Sequence, residues 1–221
     1  MRPRPAAAQA RRSPGPPYPK PIINATMKPI IYFVRHGETD WNAEGRLQGQ
    51  RDIPLNDLGR VQAGEVAGVL ARLGAPVSDL AYWASPLSRA CETMERMREG
   101  LDLAPRAYRT DERLKELAFG AWEGLTWAEV ERADPALAAS RVADKWHVRP
   151  PGGENYEDVA TRLAAFLRQI ERDAVIVAHG GVGRALMALI GGLGTAEAAE
   201  IYVRQGVAYL FQNGRFRVVE P

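Results

Sequence analysis

The chain has 221 residues, 46% hydrophobic and 25% charged, a composition typical of a globular protein with one domain. No apolar run approaches the roughly 20 residues of a transmembrane helix, and the single cysteine, Cys91, excludes an internal disulfide framework, so we expect a cytoplasmic protein without a membrane partner. The net charge is +2, but there is no basic stripe with interleaved aromatic residues, which argues against a nucleic-acid partner.

Residues 1–27 differ from the rest of the chain in composition. They are rich in Pro, Ala and Arg, contain no acidic residue and show almost no apolar periodicity. They also lack the apolar core of roughly 7–15 residues that a signal peptide needs. We therefore expect either a disordered basic tail or a start codon assigned upstream of the true one, because Met27 directly precedes a strand-like segment. Residues 28–221 are expected to form a single domain.

The domain begins with one strand pattern and one helix pattern. The continuous apolar run Ile30–Val34 predicts a buried strand. A helix is predicted from Leu58 to Leu73, capped by Asn56 or Asp57 and ended by the glycine and proline that follow. Its inward face is expected to carry the apolar residues that fall near one side of the helix, namely Leu58, Val61, Val69, Leu70 and Leu73.

The middle of the domain continues the alternation of strands and helices. Leu80–Ala84 predicts a second strand, and Ser85-Pro86 then predicts a helix with serine as its N-cap and proline in its first position. The sequence from Thr126 to Glu129 is a capping box that predicts the start of a third helix. Tyr156–Ile170 has apolar residues at helical spacing and predicts an amphipathic helix.

The C-terminal part completes the pattern with a strand, two helices and a hairpin. Ala174–Ala178 predicts a buried strand, residues 182–190 an apolar helix, and Thr195 the cap of a last short helix. Val207–Gln212 and Arg215–Val219 flank Asn213-Gly214, a strong signal for a type I′ turn. The alternation predicts an α/β fold: a three-layer α/β/α sandwich whose mainly parallel sheet ends in an antiparallel hairpin.

Two histidines occupy matching places in this pattern. His36 and His179 each follow a buried strand and precede a glycine. In open α/β sheets the ligand crevice lies at the carboxyl ends of the strands, so the two side chains are expected to meet there unless they are only structural strand-end residues. Arg35 precedes the first histidine, and Arg89 lies in the first turn predicted after the second strand. Guanidinium groups bind phosphate oxygens through paired hydrogen bonds, so the two arginines and two histidines predict a pocket for a phosphoryl group. One imidazole, if neutral, can attack phosphorus, and the other, if protonated, can bind a phosphoryl oxygen.

At this point the chain resembles the histidine phosphatase superfamily, which includes the cofactor-dependent phosphoglycerate mutases. The resemblance rests on motifs that occur in the family's order between about residues 29 and 190. They are Arg35–Asn42 (RHGETDWN), Gln48–Leu55 (QGQRDIPL), Ser85–Ala90 (SPLSRA), Glu92-Thr93, Leu114–Leu117 (LKEL), Phe119-Gly120, Trp122–Gly124 (WEG), Pro151–Glu154 (PGGE) and Ala178–Gly181 (AHGG).

The resemblance implies a role for each matching residue. His36 would be the nucleophile that forms a phosphohistidine, and Arg35, Arg89 and His179 would complete the phosphate pocket. Glu116 would protonate the leaving group and then activate water. Neighbouring polar and glycine residues would contact the phosphate or substrate or orient the pocket, namely Thr39, Asn42, Gln48, Gly49 and Gly180. The family uses no metal, so neither a metal nor another cofactor is expected.

The family contains both phosphatases and mutases, and the motifs favour a phosphatase. Mutases usually continue the acidic motif with Arg and Tyr, whereas this chain has Glu116–Gly120 (ELAFG). It also has Gln48-Gly49 and His179-Gly180-Gly181 where mutases tend to have Thr-Gly and His-Gly-Asn. The expected activity is metal-independent hydrolysis of a small phosphorylated metabolite. The alternatives are a phosphoglycerate mutase and a non-catalytic protein that binds phosphorylated ligands.

Substrate specificity is expected to reside between about Gly124 and Arg149, where family members differ. Trp127 and Trp146 lie in this segment and are expected to pack rather than to bind substrate. The terminal hairpin presents an edge strand that can pair with a second copy of the chain, whereas Arg215 and Arg217 on this strand disfavour such pairing. Either a monomer or a homodimer is therefore expected.

Overall fold

The computed structural model describes residues 29–74 and 76–221, so the predicted basic tail of residues 1–27 lies outside the described residues. The strands in this part are β1 (Ile31–Arg35), β2 (Ala81–Ala84), β3 (Arg109–Thr110), β4 (Ala174–Ala178), β5 (Ala208–Gln212) and β6 (Arg215–Val219). They form one sheet in the order β3-β2-β4-β1-β5-β6. The first four strands in this order, β3, β2, β4 and β1, pair in parallel. β5 pairs antiparallel with β1 and with β6, so the sheet ends in the predicted antiparallel hairpin.

The α-helices cover both faces of this sheet. Their bounds are α1 (Asp40–Ala43), α2 (Asp57–Arg72), α3 (Ser88–Glu99), α4 (Trp127–Ala133), α5 (Pro135–Ala143), α6 (Tyr156–Leu167), α7 (Gly180–Leu189) and α8 (Thr195–Glu200). Apolar residues of α2 and α3 pack with one face of the central strands, and those of α6, α7 and α8 pack with the other. This confirms the predicted three-layer sandwich. None of the helices in the described residues is long and apolar enough to cross a membrane.

The central strands β1 and β4 position the site. All five residues of β4 and the first four of β1 are buried, as their continuous apolar runs predict. The parallel register places Arg35 opposite Ala178 and Ala84 opposite Val177, so three strands end at the same edge. The residues that follow these strands therefore converge at the carboxyl end of the sheet.

The inward face predicted for α2 is partly wrong. Leu58 and Val61 are 51% and 57% exposed, while the side chains that enter the core come mainly from the middle and end of the helix, namely Ala63, Val66, Ala67, Val69 and Leu70. The cause lies at Gly59, where a Cβ would come within 2.0 Å of the backbone oxygen of Glu38. The helix presents its glycine to that loop at close range, which turns the neighbouring leucine outward. Asn56 is the N-cap, and its Oδ1 accepts from the Gly59 N–H.

Two predicted helix starts are also wrong. α3 begins at Ser88, with Leu87 at the N-cap position and no side-chain cap, so Ser85 is free for another contact described below. Thr195 is the first residue of α8 rather than its cap, which is Gly194. The capping box at Thr126 and the hairpin turn are confirmed, the latter with Asn213 and Gly214 at φ +52° and +71°. The sequence patterns missed β3, α1 and α5.

Candidate active site

The two histidines meet at the carboxyl edge of the sheet. The backbone N–H of His36 donates to the carbonyl oxygen of Ala178 at 2.9 Å, which continues the pairing of β1 with β4 by one residue. The ring centroids of His36 and His179 are 5.1 Å apart with an interplanar angle of 59°. Both side chains are buried, so their ring nitrogens depend on protein or ligand partners rather than on bulk water.

The His36 imidazole is held with one nitrogen available. Its Nδ1 lies 2.7 Å from the carbonyl oxygen of Gly37, and because a carbonyl only accepts, Nδ1 carries the hydrogen and Nε2 keeps its lone pair. Burial, followed by the positive charges of Arg89 and Arg35, holds the pKa of His36 well below its ordinary value of 6.5. The ring is therefore neutral near pH 7 and suited to act as a nucleophile.

His179 is fixed through its other ring nitrogen. Its Nε2 lies 2.7 Å from Oγ of Ser85, and that oxygen also lies 3.4 Å from the backbone N–H of Leu87, which donates to it. The serine hydroxyl can then donate to Nε2, which leaves the hydrogen on Nδ1, a buried atom that has no partner in the described part of the chain. Burial is the main cause that lowers the pKa of His179 far below 6.5, so the ring offers a neutral N–H donor before any anion binds.

Two arginines, the buried Arg89 and the partly buried Arg35, face this pair, and neither has a carboxylate partner among the described residues. Arg89 is fully buried and donates to the carbonyl oxygens of Arg51 and Gly49 at 2.7 and 2.8 Å. Arg35 donates from Nη1 to the Val203 carbonyl oxygen at 2.7 Å. In each arginine, Nε is buried and has no partner among residues 29–74 and 76–221. Burial lowers the pKa of Arg89 to about 10, so it remains charged at pH 7 and is available to an anion.

Glu116 reaches the same place from a loop. Its carboxylate accepts from the Gly181 N–H at 2.9 and 3.2 Å, at the N-terminus of α7, and from the Leu117 N–H at 2.8 Å. A Cβ placed on Gly180 would lie 3.8 Å from both Glu116 Oε2 and Arg35 Nε. The carboxyl group of Glu116 and the guanidinium of Arg35 therefore border one space.

The remaining predicted site residues have distinct surroundings. Thr39 caps α1 in a capping box with Asn42, and Asn42 Oδ1 also accepts from Gln205 Nε2 at 3.1 Å. Gln48 is buried, and its Oε1 has no partner among the residues that the structure describes. Gly49 has φ +53°, and its carbonyl oxygen is one of the two that hold Arg89. The side chains of Thr39 and Asn42 thus shape a loop at the site, and Gly49 orients an arginine.

Sequence patterns missed several residues that hold this arrangement. Ser85 matches a helix-capping pattern, which concealed its contact with His179. Glu123 Oε1 accepts from the N–H of Gln50 and of Phe119 at 3.0 and 3.2 Å and so joins the Arg89-binding loop to the Glu116 loop. Arg162 donates to the Glu116 carbonyl oxygen at 3.2 Å and pairs with Glu154. The Trp-Glu-Gly motif that contains Glu123 does not by itself predict that this carboxylate connects two loops.

Comparison with known proteins gives a consistent result. The family model for the histidine phosphatase superfamily (branch 1) matches residues 31–219. A metal-independent phosphoserine phosphatase of Arabidopsis thaliana is 35% identical over 162 residues, which cover 71% of this chain and 66% of the relative. A 6-phosphofructo-2-kinase/fructose-2,6-bisphosphatase of Caenorhabditis elegans is 36% identical over 170 residues, which cover 76% of this chain but only 35% of that protein.

A solved structure resembles the fold over most of its length. It is a mycobacterial glucosyl-3-phosphoglycerate phosphatase in complex with VO3, with 32% sequence identity and a TM-score of 0.71, covering 86% of this chain and 97% of the other. The range matched by the family model, residues 31–219, includes both histidine-bearing strands and the hairpin. On the sequence, the fold and this site, the chain belongs to the histidine phosphatase superfamily.

Proposed function

We propose that this chain is a metal-independent phosphomonoester hydrolase that acts on a small phosphorylated metabolite through a phosphohistidine on His36. The observation that carries the proposal is that the Nδ1 contact of His36 leaves its Nε2 free, beside two guanidiniums whose buried Nε atoms have no partner among the described residues. A nucleophile and an anion pocket in contact are the requirements of phosphoryl transfer. The names of the phosphatase relatives support the same reaction.

The first half-reaction transfers the phosphoryl group to the enzyme. Nε2 of His36 attacks phosphorus, and the N–P bond forms as the bond to the leaving alcohol oxygen breaks. Arg35, Arg89 and the Nδ1–H of His179 donate to the phosphoryl oxygens as their charge shifts. Glu116, in its protonated form, gives its proton to the leaving oxygen.

The second half-reaction returns the enzyme to its starting state. Glu116, now ionised, takes a proton from a water molecule, whose oxygen attacks phosphorus. The N–P bond breaks, the electron pair returns to Nε2 of His36, and inorganic phosphate leaves. Both halves use side chains of this chain alone.

We also propose the remaining site roles and the setting of the enzyme. Gln48 and Asn42 contact the bound phosphate, or water molecules bound to it, through their side-chain amide N–H groups. Thr39, Gly49 and Gly180 keep the backbone close to it. The enzyme acts in the cytoplasm, as a monomer or homodimer and without a nucleic-acid partner.

The test is phosphate release from a panel of phosphomonoesters in EDTA, beside a coupled assay for phosphoglycerate interconversion. We expect metal-free hydrolysis without mutase turnover, and a radiolabelled, acid-labile phosphoenzyme that disappears in His36→Ala. His147→Ala is the matched control, because His147 lies outside the site beside Asp144. Efficient interconversion with little hydrolysis would instead identify a mutase. A chain that binds phosphate esters but never forms a phosphoenzyme would be a binding protein.

A further inference from the structure

An ion pair contacts the Glu116 loop, residues 115–119. Arg162 of α6 and Glu154, which precedes that helix, have side chains that are 18% and 24% exposed. Nε and Nη2 of the arginine donate to Oε1 and Oε2 of the glutamate at 3.0 and 3.1 Å, so the contact is a bidentate fork. This pairing orients both side chains and leaves further N–H groups of the guanidinium for other acceptors.

The pair binds backbone groups on both sides of Glu116. The loop belongs to no helix or strand, so its backbone groups depend on partners elsewhere. Arg162 donates to the carbonyl oxygens of Arg113 and Glu116, the latter at 3.2 Å. Glu154 Oε2 accepts from the Ala118 N–H at 3.0 Å, and the Glu154 N–H donates to the Ala118 carbonyl oxygen at 2.8 Å. One ion pair therefore holds the backbone before, at and after the proposed proton donor.

One of these contacts acts on the Glu116 carboxyl group through a single peptide plane. The Glu116 carbonyl and the Leu117 N–H belong to the same peptide unit, which is planar and points the two groups in opposite directions. Arg162 donates to this carbonyl oxygen at 3.2 Å, and Nε2 of Gln50 donates to it at 3.1 Å. The Leu117 N–H donates to Glu116 Oε1 at 2.8 Å. Holding the carbonyl oxygen therefore fixes the direction of an N–H group that binds the carboxyl group.

We infer that Arg162, held by Glu154, is a positioning residue that aligns the Glu116 carboxyl group for proton transfer. The inference rests on the proposed function, because it requires that Glu116 protonate the leaving oxygen. Without Arg162, Gln50 is left to hold the carbonyl oxygen, and the peptide plane can tilt. Proton transfer depends steeply on geometry, so a small displacement of the carboxyl group slows this step, while the arginines and histidines of the phosphate pocket keep their own contacts.

Another arginine provides a matched control. Arg60 of α2 donates from Nε to Glu92 of α3 at 2.9 Å, so it also joins two segments through an arginine–glutamate pair. Its Nη1 donates to the Asp57 carboxylate at 3.0 Å rather than to a backbone carbonyl. The two helices that it joins pack on the opposite face of the sheet from α6. Arg60→Met therefore removes an ion pair between segments without changing a contact of the Glu116 loop.

The experiment measures kcat and KM for two substrates, namely the alkyl phosphate hydrolysed fastest in the panel above and p-nitrophenyl phosphate. Arg162→Met should lower kcat for the alkyl phosphate by about tenfold to a hundredfold, because its leaving oxygen needs a proton. The kcat for p-nitrophenyl phosphate should fall by less than about threefold, because nitrophenolate leaves without one. KM should change little, since Arg35 and Arg89 are untouched. Arg60→Met should keep both rates near those of the wild type.

A double-mutant cycle distinguishes positioning from a general loss of structure. Glu116→Gln removes the proton donor, so adding Arg162→Met to it should cause no further loss with the alkyl phosphate. Arg162→Lys keeps the positive charge, but one ammonium group cannot replace the fork, so its alkyl rate should lie between those of the wild type and Arg162→Met. Urea unfolding of each variant measures stability separately from these rates.

The outcomes separate this inference from the proposed function. Equal losses with both substrates in Arg162→Met, or a further loss in the Glu116→Gln background, overturn the positioning role and leave the hydrolase intact. Absence of hydrolysis and of a phosphoenzyme in the wild-type chain overturns both. If Arg162→Met does not fold, Arg162→Lys carries the test: a selective loss with the alkyl phosphate supports the positioning role, and unchanged rates or equal losses overturn it.

Discussion

The Ser85 hydroxyl oxygen lies 2.7 Å from Nε2 of His179, and this contact decides which ring nitrogen is left to face the space beside His36. Since the same oxygen accepts from the Leu87 N–H, its own hydrogen is directed to the imidazole. A serine that resembles a helix cap in the sequence therefore sets the tautomer of a pocket histidine.

Replacing Ser85 by alanine should lower kcat by about tenfold to a hundredfold, because the tautomer that donates from Nδ1 is no longer favoured. Ser85→Thr keeps the hydroxyl and should restore most of the rate. The checks are steady-state kinetics and the ¹⁵N chemical shifts of His179, which report the tautomer directly. Equal kcat in both variants, with an unchanged tautomer, would show that the hydroxyl is dispensable.

The histidine pair predicts how stability depends on pH. Burial depresses the pKa of His36 and of His179 in the folded chain, whereas both titrate near 6.5 when unfolded. Below pH 6.5 the unfolded chain binds protons that the folded chain does not, so stability should fall as the pH is lowered, with a limiting slope of up to about 2.7 kcal/mol per pH unit for the pair. Urea unfolding between pH 7.5 and 5.5 measures this.

The variant with both His36→Gln and His179→Gln is the control for that slope. It should flatten the dependence over this interval, where most carboxyl groups do not titrate. Phosphate should also reduce the slope in the wild-type chain, because an anion in the pocket favours protonated imidazoles. A slope that is equal in both chains would assign the pH dependence to other groups.

Gly181 makes a sharp prediction about Glu116. A Cβ on this residue would lie 2.3 Å from Glu116 Oε1, so Gly181→Ala must displace the carboxyl group from the helix N-terminus. We expect hydrolysis of an alkyl phosphate, whose leaving group needs a proton, to fall by about a hundredfold or more. An aryl phosphate with an acidic leaving group should lose much less, and so the ratio of the two rates isolates the proton-transfer step. Loss of both rates to the same degree would indicate damage to the phosphate pocket instead.

Two glycines of α2 should respond in opposite directions to the same substitution. Gly64 is exposed in mid-helix with nothing within 4 Å of an added Cβ, so Gly64→Ala should stabilise the chain by about 0.5–1 kcal/mol. At Gly59 the Cβ would meet the Glu38 backbone at 2.0 Å, and Gly59→Ala should destabilise it and disturb the His36 loop. Chemical denaturation with a phosphatase assay measures both effects, and equal signs would contradict the packing described for this helix.

The parts of the site that follow from strand register were predictable. His36 and His179 each follow a strand whose apolar run is unambiguous, and parallel pairing then brings their ends together. Arg89 kept its predicted place in a first helical turn although the helix begins two residues later than expected, because the arginine lies just inside both starts.

The parts that depend on tertiary approach were not predictable. The orientation of Leu58 and Val61 is set by contact of Gly59 with a distant loop, which the periodicity of α2 does not contain. The burial of Arg141 also depends on packing against Tyr156 and Phe119, from other segments. Glu116 was identified only through its family motif, since its place beside the pocket comes from the backbone N–H groups that bind it.

The pairing of Arg35 with Ala178 has a wider consequence. The distance between the two imidazoles is fixed by the pairing of β1 with β4, although well over a hundred residues separate the two histidines along the chain. Evolution can therefore insert, delete or replace residues in that long intervening segment and so change the surface around a substrate, while the distance between the histidines stays constant. In a fold of this kind, natural selection or a protein designer can change the substrate-binding surface without changing the geometry of the histidine pair.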